Sequence, residues 1–165
     1  MMISQKMAAR LNTQVMHEHF NSWSYMAIAY WFEKEGLKVF AKFFHKQADE
    51  ECGHAEKIAK YLLDQGAAVV LAELDKPKTT FKNAKEAVEY FVQVEIKTTK
   101  MVHEIVDMAT KEGDHATRDF IDWKVSEQVE EVATANELAS MVKLTESKGQ
   151  LLMLEGRVWQ MIEKG

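Results

Sequence analysis

Disulfide chemistry is closed to this chain within its own fold, because its 165 residues include a single cysteine, Cys52. That count also excludes a cysteine-built zinc site. Set inside a helical pattern, a lone thiol reads as a small buried hydrophobe, and burial of Cys52 is the expectation. Breakers are scarce: one Pro and 7 Gly favour long helices over the many turns that a sandwich or barrel needs. No run of about 18 apolar residues is present to span a bilayer. Met1 to Met7 passes straight into an amphipathic pattern without the apolar core of a secretion signal, which points to a soluble, cytoplasmic protein. Basic runs are missing as well. With 21 Lys and Arg against 26 Asp and Glu, the net charge is −5, which argues against nucleic acid as a partner and for a cation. A chain of this length fits one domain spanning residues 1–165, large enough to bury a substantial core.

What is present is a set of long amphipathic stripes, each broken once by charge. On a helix through Gln47-Ala48-Asp49-Glu50-Glu51-Cys52-Gly53-His54, the residues Phe40, Phe44, Gln47, Glu51, His54, Ile58 and Leu62 share one face. Both ends of that face are apolar. Its middle places Glu51 and His54 one turn apart, pointing the same way. Ionised carboxylates in a core are costly, by several kcal/mol each even after relaxation. A cation offsets that cost.

The other helices repeat the device. Ser4 is placed to cap a first helix with the stripe Leu11, Val15, Glu18, Ser22, Tyr25, Ala29 and Phe32, closed by Glu35-Gly36. Alone, Glu18 reads as an edge charge reaching water, and Tyr25 as a core tyrosine with a satisfied hydroxyl. The second helix runs from about Leu37 to Asp64-Gln65-Gly66. Helical pattern then lapses from Ala67 to about Thr80, around Pro77; the strand-like Ala68-Val69-Val70-Leu71 has no partner strand. A connection that long lets the third helix start at the far end of the bundle, as a crossover. The third helix, after Asn83 and up to Gly113, carries Ala84, Val88, Phe91, Glu95, Thr98, Val102, Ile105 and Ala109. A fourth, from about Asp114 to Ser147-Lys148-Gly149, carries Phe120, Glu127, Glu131, Thr134, Leu138 and Met141, with Gln128 and Glu130 adjoining. A short apolar segment at about 150–163 completes the chain and needs a partner to cover it. The expected fold is all-α: a four-helix bundle at about 4–147 with one long crossover between helices two and three, and a short C-terminal fifth helix.

Each interruption has a dull explanation taken singly, but four carboxylates at mid-length in four helices do not. Di-iron and di-manganese carboxylate bundles take a Glu from each of two helices and Glu-x-x-His from each of the other two. Glu18 and Glu95 fit the single ligands and Glu51-x-x-His54 one pair, while the fourth helix offers Glu127-x-x-Glu130 instead of a second pair. Carboxylates with one imidazole suit iron or manganese over zinc or copper(I). Glu51, central in the set, is the natural bridge between two metals. Two such metals can deliver two electrons to one dioxygen or peroxide.

Over essentially its whole length the sequence resembles the bacterial non-haem ferritins. The resemblance is carried by Glu18 with Tyr25, Glu50-Glu51-Cys52-Gly53-His54, Val94-Glu95-Ile96, and Trp123-Lys124-Val125-Ser126-Glu127-Gln128-Val129-Glu130-Glu131. It implies a ferritin-like bundle in which Glu18, Glu51 and His54 hold a first iron. Glu51, Glu95 and Gln128 surround the second, with Glu131 close by. Glu50, Glu127 and Glu130 match a third iron site facing the storage cavity, and Tyr25 matches a tyrosine that supplies an electron. By the same resemblance the chain is a ferroxidase in a homo-oligomeric cage of 24 subunits. Such a cage oxidises Fe(II) with O2 or H2O2 and stores a ferric mineral, with the fifth helix at the fourfold axes.

Some positions depart from related families. Bacterioferritins keep a second His where this chain has Glu130, and a haem-binding methionine where it has Cys52; no haem is expected. The acidic ring of the animal threefold channels has no clear place in this sequence; Asp119 and Asp122 are nearby candidates, with Arg118 beside them counting against that role. A rubrerythrin-like peroxidase would want a second Glu-x-x-His and a cysteine-rich domain. Mini-ferritins place their ligands between subunits and generally lack a fifth helix. A cage subunit with a dead centre would show substitutions at the ligand positions, and those positions are filled.

Overall fold

In the computed structural model, which describes residues 2–164, five helices account for the regular structure. Met1 and Gly165, the outermost residues of the expected domain, lie outside the described residues. The helices are α1 (Gln5–Lys34), α2 (Lys38–Asp64), α3 (Ala84–Glu112), α4 (His115–Lys143) and α5 (Lys148–Lys164). The expected all-α bundle is therefore present, and its strand-like segment at Ala68–Leu71 forms no strand.

Helix boundaries follow local chemistry. Ser4 caps α1, its hydroxyl accepting from the Met7 amide at 2.9 Å, and Asn83 and Asp114 cap α3 and α4 in the same way. Gly36 and Gly113 stop α1 and α3 because each adopts φ near +70°, 77° and 66° respectively, where a Cβ is disfavoured. Around Gly36 the Leu37 amide returns to Phe32 O at 2.9 Å and the Gly36 amide to Glu33 O at 3.0 Å, a Schellman closure. α1 and α2 thus turn back on each other as antiparallel neighbours.

The segment after α2 runs along α1. Asn12 donates to Ala68 O at 3.0 Å and accepts from the Val70 amide at 2.7 Å, while Phe81 packs edge-on against Trp31 at the other end of the helix. This is the long crossover, and it makes α3 antiparallel to α1.

Two expectations for the C-terminal half need correction. α4 ends at Lys143, four residues before Ser147, because Ser147 is a start signal: its hydroxyl accepts from the Gln150 amide at the head of α5. The core face of α4 is also offset from the expected stripe. Thr117, Ile121, Lys124, Gln128, Glu131, Ala135, Leu138 and Val142 are buried, whereas Phe120, Glu127, Thr134 and Met141 are only half-buried. Phe120 instead stacks on Tyr61 of α2, centroids 3.9 Å apart. The stripes on α1, α2 and α3 are buried throughout, as expected.

The core comes in two apolar halves. One is aromatic: Phe32 stacks on Phe40 and Phe44, and Tyr25 meets Phe91 edge-on at 5.0 Å. The other is aliphatic, built from Met7, Leu11, Val15, Ile58, Leu62, Val102, Ile105 and Ile121. Between them lies a layer of buried polar side chains from all four long helices.

α5 packs against α2 and α4. Val158 is its fully buried residue, Glu155 accepts from the Val39 amide at 2.7 Å, and Lys46 donates to Ile162 O at 3.1 Å. Val158→Asp places a charge in that contact and leaves every residue of α1 to α4 unchanged. Hydrogen exchange should show the α5 amides losing protection while α1 to α4 keep theirs. Unchanged protection would mean that the polar clasps hold α5 unaided.

Candidate metal centre

Because the stripes of α1, α2 and α3 run unbroken through the core, their charged members meet at one level. Glu18 is completely buried, so it does not reach water as an edge charge would. Glu18, Glu51 and His54 each offer a ligand atom, all within 4.8 Å of one another. His54 Nδ1 lies 3.2 Å from Glu51 Oε1 and 3.8 Å from Glu18 Oε2.

Neighbouring amides and hydroxyls fix these carboxylates. Gln14 donates to Glu18 Oε1 at 2.6 Å. Asn21 donates to Glu51 Oε2 at 2.9 Å and is tied to Thr98. On the α3 side Glu95 accepts from the Tyr25 hydroxyl, and its Oε2 accepts from Gln128 Nε2 at 3.1 Å. Glu131 is buried one turn beyond Gln128. Glu50, Glu127, Glu130 and Glu131 line a cavity of about 280 Å³ between α2, α4 and α5, closed in part by Met161 and Ile162. Glu127 also reaches the centre, 3.6 Å from His54 Nε2. The carboxylates assigned to metal in the sequence are thus in or beside one layer, although Glu130 itself is exposed, whereas Asp119 and Asp122 are exposed elsewhere on α4.

Sequence reasoning missed Lys124. Its side chain is fully buried, and Nζ lies 3.2 Å from Glu18 Oε2 and 3.9 Å from Glu51 Oε1. The signal was available: Lys124 falls between Ile121 and Gln128 on the true core face of α4, and the offset stripe hid it. The expectation for Cys52 also fails. Cys52 is exposed, on the outer side of the turn that carries Glu51, with its Sγ 3.4 Å from Ser22 Oγ.

Electrostatics follow from the burial. Loss of water pushes the Glu131 carboxyl up to about 9, with repulsion from Glu95, Glu51 and Glu50 adding to it. Burial pushes Glu18 up to about 7, Glu51 adding and Lys124 opposing. Glu51 and Glu95 are raised for the same first reason. Burial, then the Lys124 charge, lowers His54, leaving its imidazole neutral and able to ligate. Tyr25 is held well above the usual phenol range by burial and by Glu95. Buried oxygens of the layer, among them Asn21 Oδ1 and Gln128 Oε1, accept no hydrogen bond, and Glu18 Oε2 faces the Lys124 ammonium at 3.2 Å. Unfilled acceptors in a carboxylate-rich, imidazole-poor set fit a hard divalent cation such as Fe(II).

The ferritin-like domain family matches residues 8–145. The chain belongs to that family. It is 36% identical over 142 residues to a bacterial non-heme ferritin of Bacteroides fragilis, covering 86% of this chain and 89% of the relative. A bacterial non-heme ferritin of Staphylococcus aureus is 36% identical over 132 residues, 80% of either chain. Among solved structures, the open pore ferritin of the hyperthermophilic archaeon Archaeoglobus fulgidus superposes with a TM-score of 0.91 at 34% identity, over 94% of this chain and 97% of that one. The resemblance drawn from the sequence motifs, and the ferritin-like bundle it implied, are borne out. No described helix is long and apolar enough to cross a membrane.

Folding raises the pKa of Glu131 and Glu18 from an ordinary 4.5, so the metal-free fold holds protons that the unfolded chain releases. Their stabilising share is complete below about 4.5 and is lost as pH rises through about 7 for Glu18 and about 9 for Glu131. Metal-free protein should therefore melt progressively lower between about pH 5 and 9. Glu131→Gln should flatten that slope, raising Tm by roughly 2–8 °C at the alkaline end and little at the acid end. Equal slopes by calorimetry would remove Glu131 from this account.

Proposed function

We propose that this ferritin-family chain stores iron as a cytoplasmic homo-oligomeric cage and is itself the ferroxidase, taking Fe(II) as substrate. The observation that carries the reading is the convergence of Glu18, Glu51 and His54 within one subunit. In this reading those three hold one Fe(II), and Glu51 bridges to a second held by Glu95 with Gln128 and Glu131. Each iron gives one electron. Metal binding displaces the protons of the raised carboxyls. O2 takes the two electrons, and two protons from water, to leave as H2O2, or H2O2 takes the same to leave as two waters. Tyr25, which donates to Glu95, would supply the fourth electron, and its phenolic proton, where three Fe(II) reduce one O2 to two waters. Gln14 and Asn21 orient Glu18 and Glu51, and the apolar halves on either side exclude bulk water. Glu50, Glu127 and Glu130, around the cavity under α5, form the third iron position and pass ferric ion to storage. No haem enters the proposal.

Exposed apolar surface supports assembly. Trp23 and Tyr30 on α1 are 55% and 57% exposed and line a hollow completed by Met26, Trp31, Pro77 and Phe81. Leu152, Met153 and Trp159 are likewise exposed on α5. Apolar clusters of this kind mark protein contacts, and a cage of 24 copies covers both.

Glu51→Gln, which keeps the shape and removes the bridging charge, should leave the cage assembled. It should slow aerobic Fe(II) oxidation, followed by absorbance, by more than the roughly 10- to 100-fold that loss of a partner orienting a ligand costs. A rate equal to the parent protein would exclude Glu51 as a ligand. Truncation before Lys148 should shift the sedimentation of the cage to smaller species while the helical signal of the bundle persists. An intact cage would exclude α5 from assembly.

A further inference from the structure

Lys124 stands where the first metal is assigned. Its Nζ lies 2.7 Å from His54 Nδ1, 3.2 Å from Glu18 Oε2 and 3.9 Å from Glu51 Oε1. These are the three residues whose ligand atoms converge. One cationic point thus already faces the whole first ligand set, on a side chain with no exposed surface. A divalent metal at about 2.0–2.2 Å from those nitrogen and oxygen atoms would fall inside the contact distance of the ammonium. Their like charges would repel in a layer that water does not screen.

We propose that Lys124 is a tethered cation that fills the first-metal position of the metal-free centre, and that a metal ion binds Glu18, Glu51 and His54 only by displacing its ammonium. The second position, around Glu95, Gln128 and Glu131, has no such occupant among the described residues. The chemistry of the side chain suits the task. Lysine presents a compact charge with three donors on a flexible four-carbon stem, so it can satisfy several acceptors at once and still withdraw by rotation. Glu127, one turn further along α4, half-exposed and reaching only the His54 edge of the centre, offers the ammonium a carboxylate at the rim of the layer. The competition makes the first position the weaker of the two and ties its filling to a side-chain movement.

The inference rests on the proposed function only in taking Glu18, Glu51 and His54 as metal-holding, and Zn(II), which is not oxidised, tests it separately. Full-length protein and Lys124→Met are titrated with Zn(II) by calorimetry. The variant should bind at least about tenfold tighter, and adding His54→Ala should abolish the gain. Equal or weaker binding by Lys124→Met overturns the proposal, since a purely structural lysine would give that result. Should that variant fail to fold, crystals of the parent protein grown with Zn(II) decide the matter. Zinc among the three residues with Nζ withdrawn supports the proposal, whereas zinc there with Nζ still beside Glu18 and His54 overturns it, as does no zinc there at saturation. Rapid Fe(II) oxidation by the parent with no gain in the variant would sink this inference alone. A gain in Zn(II) affinity without any Fe(II) oxidation would sink the ferroxidase reading alone.

Discussion

Charge neutrality inside a dry layer is the constraint on which this structure depends. Glu18, Glu51, Glu95 and Glu131 share a level of the bundle with a single ammonium, Lys124, and a neutral imidazole. Four ionised carboxylates against one cation would leave an excess of negative charge where water cannot screen it. The layer meets the constraint by binding protons: burial first, and then the neighbouring carboxylates, push Glu18 up to about 7 and Glu131 up to about 9. A divalent cation meets it better, because it neutralises two charges and can take up an acceptor such as Gln128 Oε1 that otherwise has no donor. The affinity for metal and the strain of the metal-free fold are thus one property seen from two sides. The stacked phenylalanines above and the aliphatic contacts below supply the packing that holds such a layer together.

Much of this was legible because the chain punctuates itself with few, strong signals. Gly36 and Gly113 require left-handed backbone, and Ser4, Asn83 and Asp114 accept from amides that would otherwise be orphaned, so the limits of α1 to α3 could be read to within a residue or so. The polar members of the stripes on α1, α2 and α3 stand out because everything around them on the same face is apolar. α4 carries carboxylates on adjacent positions, Glu127, Glu130 and Glu131, and the pattern admits two neighbouring faces. Choosing the one through Phe120 and Glu127 put Gln128 at the edge and left Lys124 out. Periodicity alone could not decide this, because a half-buried aromatic such as Phe120, stacked on Tyr61, scores like a core residue. Cys52 failed for the opposite reason. Thiol burial is a property of residue type, and between Glu51 and Gly53 the helix face alone decides exposure.

Lys124 bears directly on which members of the ferritin family this chain can act like. A centre whose ligands lie between subunits is inconsistent with Glu18, Glu51 and His54 meeting inside one bundle. A dead centre is the harder rival, since a lysine amid metal ligands neutralises them as a lost ligand would. The two differ in reversibility. Substituting a ligand removes a donor atom permanently, whereas an ammonium on a rotatable stem leaves every donor in place behind it. Here Glu18, Glu51 and His54 each keep a ligand atom turned to one point, the imidazole is neutral, and Gln14 and Asn21 aim the two carboxylates inward. A protein that had abandoned metal would have no use for these orienting contacts, because an ion pair with lysine tolerates looser geometry than a coordination sphere does. Retention of that scaffold around a displaceable cation argues for a centre that fills and empties.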